Sequence, residues 1–162
     1  MGGMTFCFSR LREKNMSIID RYLQISVAQA VTATAVSTDV IDAGATKNAA
    51  IGRDLGGGTQ LFLEVTVGAT FTAAGAGTLA ISLQDSADNS TFADVLSTPP
   101  LALASLVVGS RFYIPLPAKM RRYIRANYTV ATGPMTAGNL SAQIVDGMTV
   151  ERAYPDSLSK IV

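Results

Sequence analysis

Leu61-Phe62-Leu63-Glu64-Val65-Thr66-Val67 alternates without a break, with Leu61, Leu63, Val65 and Val67 on one register and Phe62, Glu64 and Thr66 on the other. Period-two alternation sends successive side chains to opposite faces of an extended chain, and such a stretch covers about 23 Å at strand rise. It predicts a strand with one buried face. The same pattern recurs in Leu79, Ile81 and Leu83, in Phe112, Ile114 and Leu116, in Ile124, Ala126, Tyr128 and Val130, and in Leu140, Ala142 and Ile144. Residues 31–36 and 92–96 supply shorter candidates. Residues 101–108 read equally as a short helix or a strand, because so short an apolar run has no decisive period. Pro115 and Pro117 place the 112–116 strand at an edge or near its end, since proline cannot donate to a ladder.

Turn chemistry separates these segments: Gly56-Gly57-Gly58, Ala74-Gly75-Ala76-Gly77, Asp88-Asn89-Ser90, Pro99-Pro100 and Thr132-Gly133-Pro134. Short strands at this spacing predict an all-β fold, an antiparallel β-sandwich or jelly roll with about eight strands. A chain of 162 residues fits a single compact domain. We place that domain at residues 22–155, with an extended N-terminal arm at 1–21 and a C-terminal tail at 156–162.

Composition narrows the function. The chain has no His, no Trp and one Cys. Ser-His-Asp and Cys-His catalysis, His-ligated metals and imidazole acid-base chemistry are therefore out of reach. Cys7 alone closes no intrachain disulfide, and a reducing cytosol suits it. Charged residues make up 15% of the chain, against about 25% in an ordinary soluble domain. A surface built from Ala, Thr, Ser and Gly follows, suited to being covered by a partner. No apolar run approaches the roughly 20 residues of a membrane helix. The expectation is a protein that is not an enzyme, carries no cofactor or metal, and engages no membrane.

Residues 1–15 set Phe6, Cys7 and Phe8 before Arg10, Arg12 and Lys14, the reverse of a secretory signal's order. Two readings stay open: a genuine arm, or an extension from an upstream start preceding Met16. The glycines at 56–58 lack the Lys and Ser/Thr of a phosphate loop and precede a strand. Those at 75 and 77 read as a loop tip. Asp85, Asp88, Asn89 and Asp94 lack the Gly and terminal Glu of an EF-hand loop, so a polar hairpin is the better reading.

The strongest charge feature is basic. No acidic residue occurs between Asp94 and Asp146, and Arg111, Lys119, Arg121, Arg122 and Arg125 fall inside that gap. With Ile124, Ala126 and Tyr128 facing the core, alternation puts Arg121, Tyr123, Arg125 and Asn127 on the opposite face. A basic row with one aromatic has three readings: a solvated face, a contact for an acidic protein surface, or a nucleic-acid contact. The net charge of +1 gives little long-range attraction, so no direct nucleic-acid binding is expected.

Three stretches carry a resemblance: residues 28–42 (AQAVTATAVSTDVID), residues 128–138 (YTVATGPMTAG) and Arg152-Ala153-Tyr154-Pro155. Together they resemble the small capsid cement, or decoration, proteins of podovirus-type tailed bacteriophages, over about residues 16–155. The resemblance implies a jelly-roll structural protein on the outer surface of an icosahedral virion head, made in the bacterial cytoplasm. Such a protein bridges neighbouring major capsid subunits, stabilises the capsid and occurs as a homodimer. It implies no catalytic residue. Our own expectation for the protein interface is Arg121, Arg122, Arg125 and Tyr123 against acidic shell groups, with the arm before Tyr22 and the tail after Tyr154 reaching adjacent subunits. The competing readings are a head-tail connector or tail-surface β module, and a receptor- or carbohydrate-binding module, the last weakened by the absence of Trp.

Overall fold

The computed structural model describes residues 21–44 and 60–147. Among them the chain forms ten strands: β1 (Gln24–Ala30), β2 (Ala35–Val36), β3 (Ile41–Asp42), β4 (Leu61–Ala73), β5 (Thr78–Ser86), β6 (Ala93–Ser97), β7 (Leu101–Ala102), β8 (Arg111–Pro115), β9 (Tyr123–Ala131) and β10 (Met135–Asp146). One sheet has the order β1-β10-β4-β8. In the other, β9 and β5 are central, β2 and β3 flank β9, and β6 and β7 flank β5. Every pairing is antiparallel. Counting β2 with β3, and β6 with β7, as two interrupted strands leaves eight. These pair first with last, second with seventh, third with sixth and fourth with fifth. A long hairpin wrapped around a core pairs in this order, which is consistent with a jelly roll.

Alternation fills the space between the sheets. Leu63, Val65 and Val67 of β4 meet Leu79, Ile81 and Leu83 of β5, Ile124, Ala126 and Tyr128 of β9, and Leu140, Ala142 and Ile144 of β10. Tyr128 is fully buried and brings a hydroxyl that needs a partner. It lies 2.8 Å from Ser26 Oγ, which donates to Gln29 Oε1 at 2.7 Å, while Gln29 Nε2 donates to the Val36 carbonyl. Burial pushes the Tyr128 phenol above its ordinary range, so it remains a donor. The network fastens the crossing from β1 to β2, and with it the two sheets.

Two expectations need correction. The strand anticipated at residues 31–36 is only Ala35–Val36, and the longer strand lies earlier, at Gln24–Ala30. The cause is a bulge: the β1·β10 register shifts on both sides of Ser26, and Ala28 takes a φ of 45°. Ile25 and Ser26 are consecutive yet both buried, so alternation is lost where the strand runs. The glycine-rich turn is a loop tip at residues 74–76, which are exposed, but not at Gly77, which is buried. A Cβ on Gly77 would stand 2.9 Å from that of Ala73 and 3.2 Å from Met135 Sδ, although Gly75 faces open space. Residues 101–108 resolve into β7 and a 3₁₀ turn at Leu103–Ser105. The 1–15 segment, Cys7, Gly56 to Gly58, Tyr154 and the tail lie outside the described residues.

The sheet edges are interrupted. The bonds from Leu116 N to Leu61 O and from Val67 N to Ser110 O set the phase of the β4·β8 ladder. Arg111, Tyr113 and Pro115 therefore turn their backbone groups away from β4, and Pro115 has no N–H to offer. In the other sheet Pro99 and Pro100 separate β6 from β7, and β2 and β3 are two residues each.

Close packing is most demanding at Gly138 in β10. Its φ of +133° disfavours any side chain, and a Cβ there would stand 2.4 Å from the Phe71 ring. Gly138→Ala combines backbone strain with overpacking and is expected to cost about 2–4 kcal/mol. Equilibrium denaturant unfolding of the variant against wild type measures this.

Candidate functional site

Four of the candidate interface residues, Arg121, Arg122, Tyr123 and Arg125, gather where β5 ends, β9 begins and the β8–β9 link returns to the second sheet. Asp85 continues the inward register of Leu79, Ile81 and Leu83, so a carboxylate arrives at the margin of the core, 7% exposed. Arg121 meets it. Its Nε donates to Asp85 Oδ1 at 2.8 Å, its backbone N to Oδ2 at 2.9 Å, and Nη2 to the Asp85 carbonyl at 2.9 Å. Burial pushes the Asp85 carboxyl up, but the Arg121 bonds outweigh it and hold the group below its ordinary value.

Arg122 forms a two-pronged pair with Asp42 of β3, from Nε to Oδ1 and from Nη2 to Oδ2, each 2.7 Å. These bonds lower the Asp42 carboxyl. Gly44 is required beside them, because the Arg122 side chain fills the place a Cβ would take. The Arg122 guanidinium also stands 4.8 Å from the centre of the Tyr123 ring. Arg125 stacks 3.7 Å above Phe92 and donates from Nε to Gln84 Oε1 at 2.7 Å.

The anticipated basic row is thus a set of engaged cations. Tyr123, Arg125 and Asn127 stand on the outer register of β9, opposite the buried Ile124, Ala126 and Tyr128. Arg121 leaves that row to cap Asp85. The acid-free gap in sequence is closed in space by carboxylates from β3 and β5, which are far away along the chain. Tyr22 is 76% exposed, beside the Arg21–Asp39 ion pair at 3.2 Å, in a groove with Gln24 and Val40.

The acidic segment at 85–94 is a polar hairpin. Asp88 Oδ1 accepts from Ser86 Oγ and from the backbone of Ser90 and Thr91, with Asn89 at φ 59°. These bonds hold the Asp88 carboxyl well below its usual range. Asp94 accepts from Gln84 Nε2 at 2.8 Å. Among the described residues, no three of the His, Cys, Asp and Glu side chains converge on a point that would hold a metal. Nor is any helix there long and apolar enough to cross a membrane.

Sequence reading missed Glu64. It stands on the outward register of β4 yet is 4% exposed. Register aligns Gln24, Gln143, Glu64 and Tyr113 across all four strands of the first sheet. Gln143 Nε2 donates to Glu64 Oε2 at 3.1 Å, Tyr113 Oη to Oε1 at 3.3 Å, and Arg111 Nη1 lies 3.6 Å away. Its only sequence signal is a single acidic residue within thirteen otherwise uncharged ones.

The arrangement is that of an all-β domain whose carboxylates and guanidinium groups fasten loops to sheets. The chain belongs to the Bbp16 family, whose model matches residues 25–144, from the second residue of β1 almost to the end of β10. No curated protein gives a significant match.

These pairs set an acid limit. The folded-state carboxyls of Asp42 and Asp85 lie below the ordinary value of 3.8. Their contribution is therefore fully present above that value and lost as pH falls through the lower folded-state values. Wild type should lose stability as pH falls below about 4, and Asp85→Asn should show a shallower acid limb while costing about 1–3 kcal/mol near neutrality. Denaturant midpoints across this pH range measure both.

Proposed function

We propose that this chain is a capsid cement protein, a non-enzymatic decoration on the outer surface of a bacteriophage head that bridges neighbouring major capsid subunits. The observation that carries the reading is a coincidence of extents. The resemblance at residues 28–42 and 128–138 falls within the strands and turns near the two ends of the described chain, the sheets form the all-β sandwich that a jelly roll requires, and the Bbp16 match spans the same region. The family's name suggests a phage-related protein. Low charge and small surface residues suit a domain covered by neighbours.

In this reading Arg121, Arg122 and Arg125 act within the domain, keeping the β5–β6 hairpin, β3 and the β8–β9 link in place. The homodimer is proposed as the assembling unit, and repeated weak contacts over a symmetric shell supply stability through multivalency. A connector or tail module would share this fold but assemble in few copies.

Quantitative mass spectrometry of purified particles separates them. Cement requires a copy number of the same order as the major capsid subunit, whereas a ring of about a dozen or fewer identifies a connector or tail part. Absence from particles sinks the reading altogether.

A further inference from the structure

Charge is segregated along the strand axis. Residues 22–38, 65–84, 95–110 and 126–145 contain no Asp, Glu, Lys or Arg. The pairing brings the greater part of these stretches, residues 28–36, 67–83, 95–110 and 126–140, to one end of the sandwich. Beyond the rungs Thr66↔Arg111 and Gln84↔Arg125, no described residue carries a charge. That end consists of the turns at 31–34, 74–77, 98–106 and 132–134. The opposite end holds Arg21, Asp42, Asp85, Asp88, Lys119, Arg121, Arg122 and Asp146. Arg21, Gly44, Gln60 and Gly147, from which the rest of the chain continues, are there too: Ala43 bonds to Arg122 and Gly147 to Gln60.

The uncharged half also presents Val107 and Val108, 44% and 63% exposed. Their turn is held on three sides. Val108 N donates to Thr70 Oγ1 at 3.0 Å, Gly109 N to Val67 O at 2.8 Å and Ser110 N to Val107 O at 3.0 Å, with Gly109 at φ +87°. Two apolar side chains on a fixed turn lose little conformational entropy when covered.

We infer that the uncharged end is the docking surface, and that its occupant is an uncharged, apolar patch on the outer face of the shell protein. The inference rests on the cement reading and adds the orientation. Electrostatic matching selects the occupant. A charged partner group pressed against this end would lose its hydration and find no counter-ion, whereas an uncharged patch avoids that penalty and gains by covering Val107 and Val108. The charged end, which gains from solvation, points to water. Attachment is accordingly apolar and insensitive to salt.

The test uses the full chain and expanded heads assembled without it, with binding read by co-sedimentation. Val108→Glu should weaken binding at least about tenfold, because a carboxylate is buried without a partner. Lys119→Glu, at the charged end, should bind within about twofold of wild type, and wild-type affinity should change by less than about threefold between roughly 50 and 500 mM salt. Thermal unfolding and sedimentation of the free proteins establish that both variants fold and keep the wild-type oligomeric state. If wild type binds and Val108→Glu binds equally well, or Lys119→Glu is the variant that loses binding, the docking end is wrong although the cement reading stands. A Val108→Glu defect confined to self-association assigns the surface to a second copy and also overturns the inference. If wild type fails to bind the heads, the cement reading itself falls.

Discussion

The ladder between β4 and β10 is the constraint from which the rest of the molecule hangs. Ten residue pairs, from Leu61↔Asp146 to Ala73↔Met135, join the middle of the chain to its last described strand. Glu64 and Gln143, hydrogen-bonded across it, are 79 residues apart in sequence. Closing such a loop is entropically unfavourable before any burial rewards it, so a ladder of this kind forms slowly compared with local contacts. The ladder also dictates the exceptions along β10. Its register shifts three times between Met135 and Leu140, and Gly138 sits there because Phe71 needs the space.

Burial and charge divide the sandwich differently. Burial separates inside from outside, by alternation along most of the long strands. Charge separates one end from the other, so the carboxylate–guanidinium pairs concentrate where the β8–β9 link, the β5–β6 hairpin and β3 meet. These are loops and two-residue strands with few ladder bonds of their own. Arg121 and Arg122 supply by side-chain bonds what the backbone lacks there, with Asp85 at the core margin the most protected partner. Exposed pairs such as Arg21–Asp39 contribute little by comparison.

Most of the architecture was legible because alternation is a local signal. Leu63 to Val67, Leu79 to Leu83, Ile124 to Tyr128 and Leu140 to Ile144 announced the core rows that the structure contains. β1 was not legible, since a bulge at Ala28 erases the alternation that identifies a strand. The candidate site was legible in its residues and not in their state. That Arg121, Arg122 and Arg125 cluster follows from sequence spacing, but their engagement depends on Asp42, Asp85, Gln84 and Phe92, which only the sheet pairing brings near. Glu64 illustrates the same limit, because its burial on an outer face arises from neighbours on two other strands.

The interrupted edges have a consequence for life at high density. A β-sandwich with so little charge is poorly protected by electrostatic repulsion, and a strand with free backbone groups would invite a neighbour to extend the sheet. Here Pro115 ends one border and Pro99-Pro100 cuts another, while the β2 and β3 border is two short fragments and β1 is kinked by its bulge. Copies crowded side by side therefore find no continuous template for fibre growth along these borders. Resistance to sheet extension then rests on the backbone, in place of the surface charge that other proteins use.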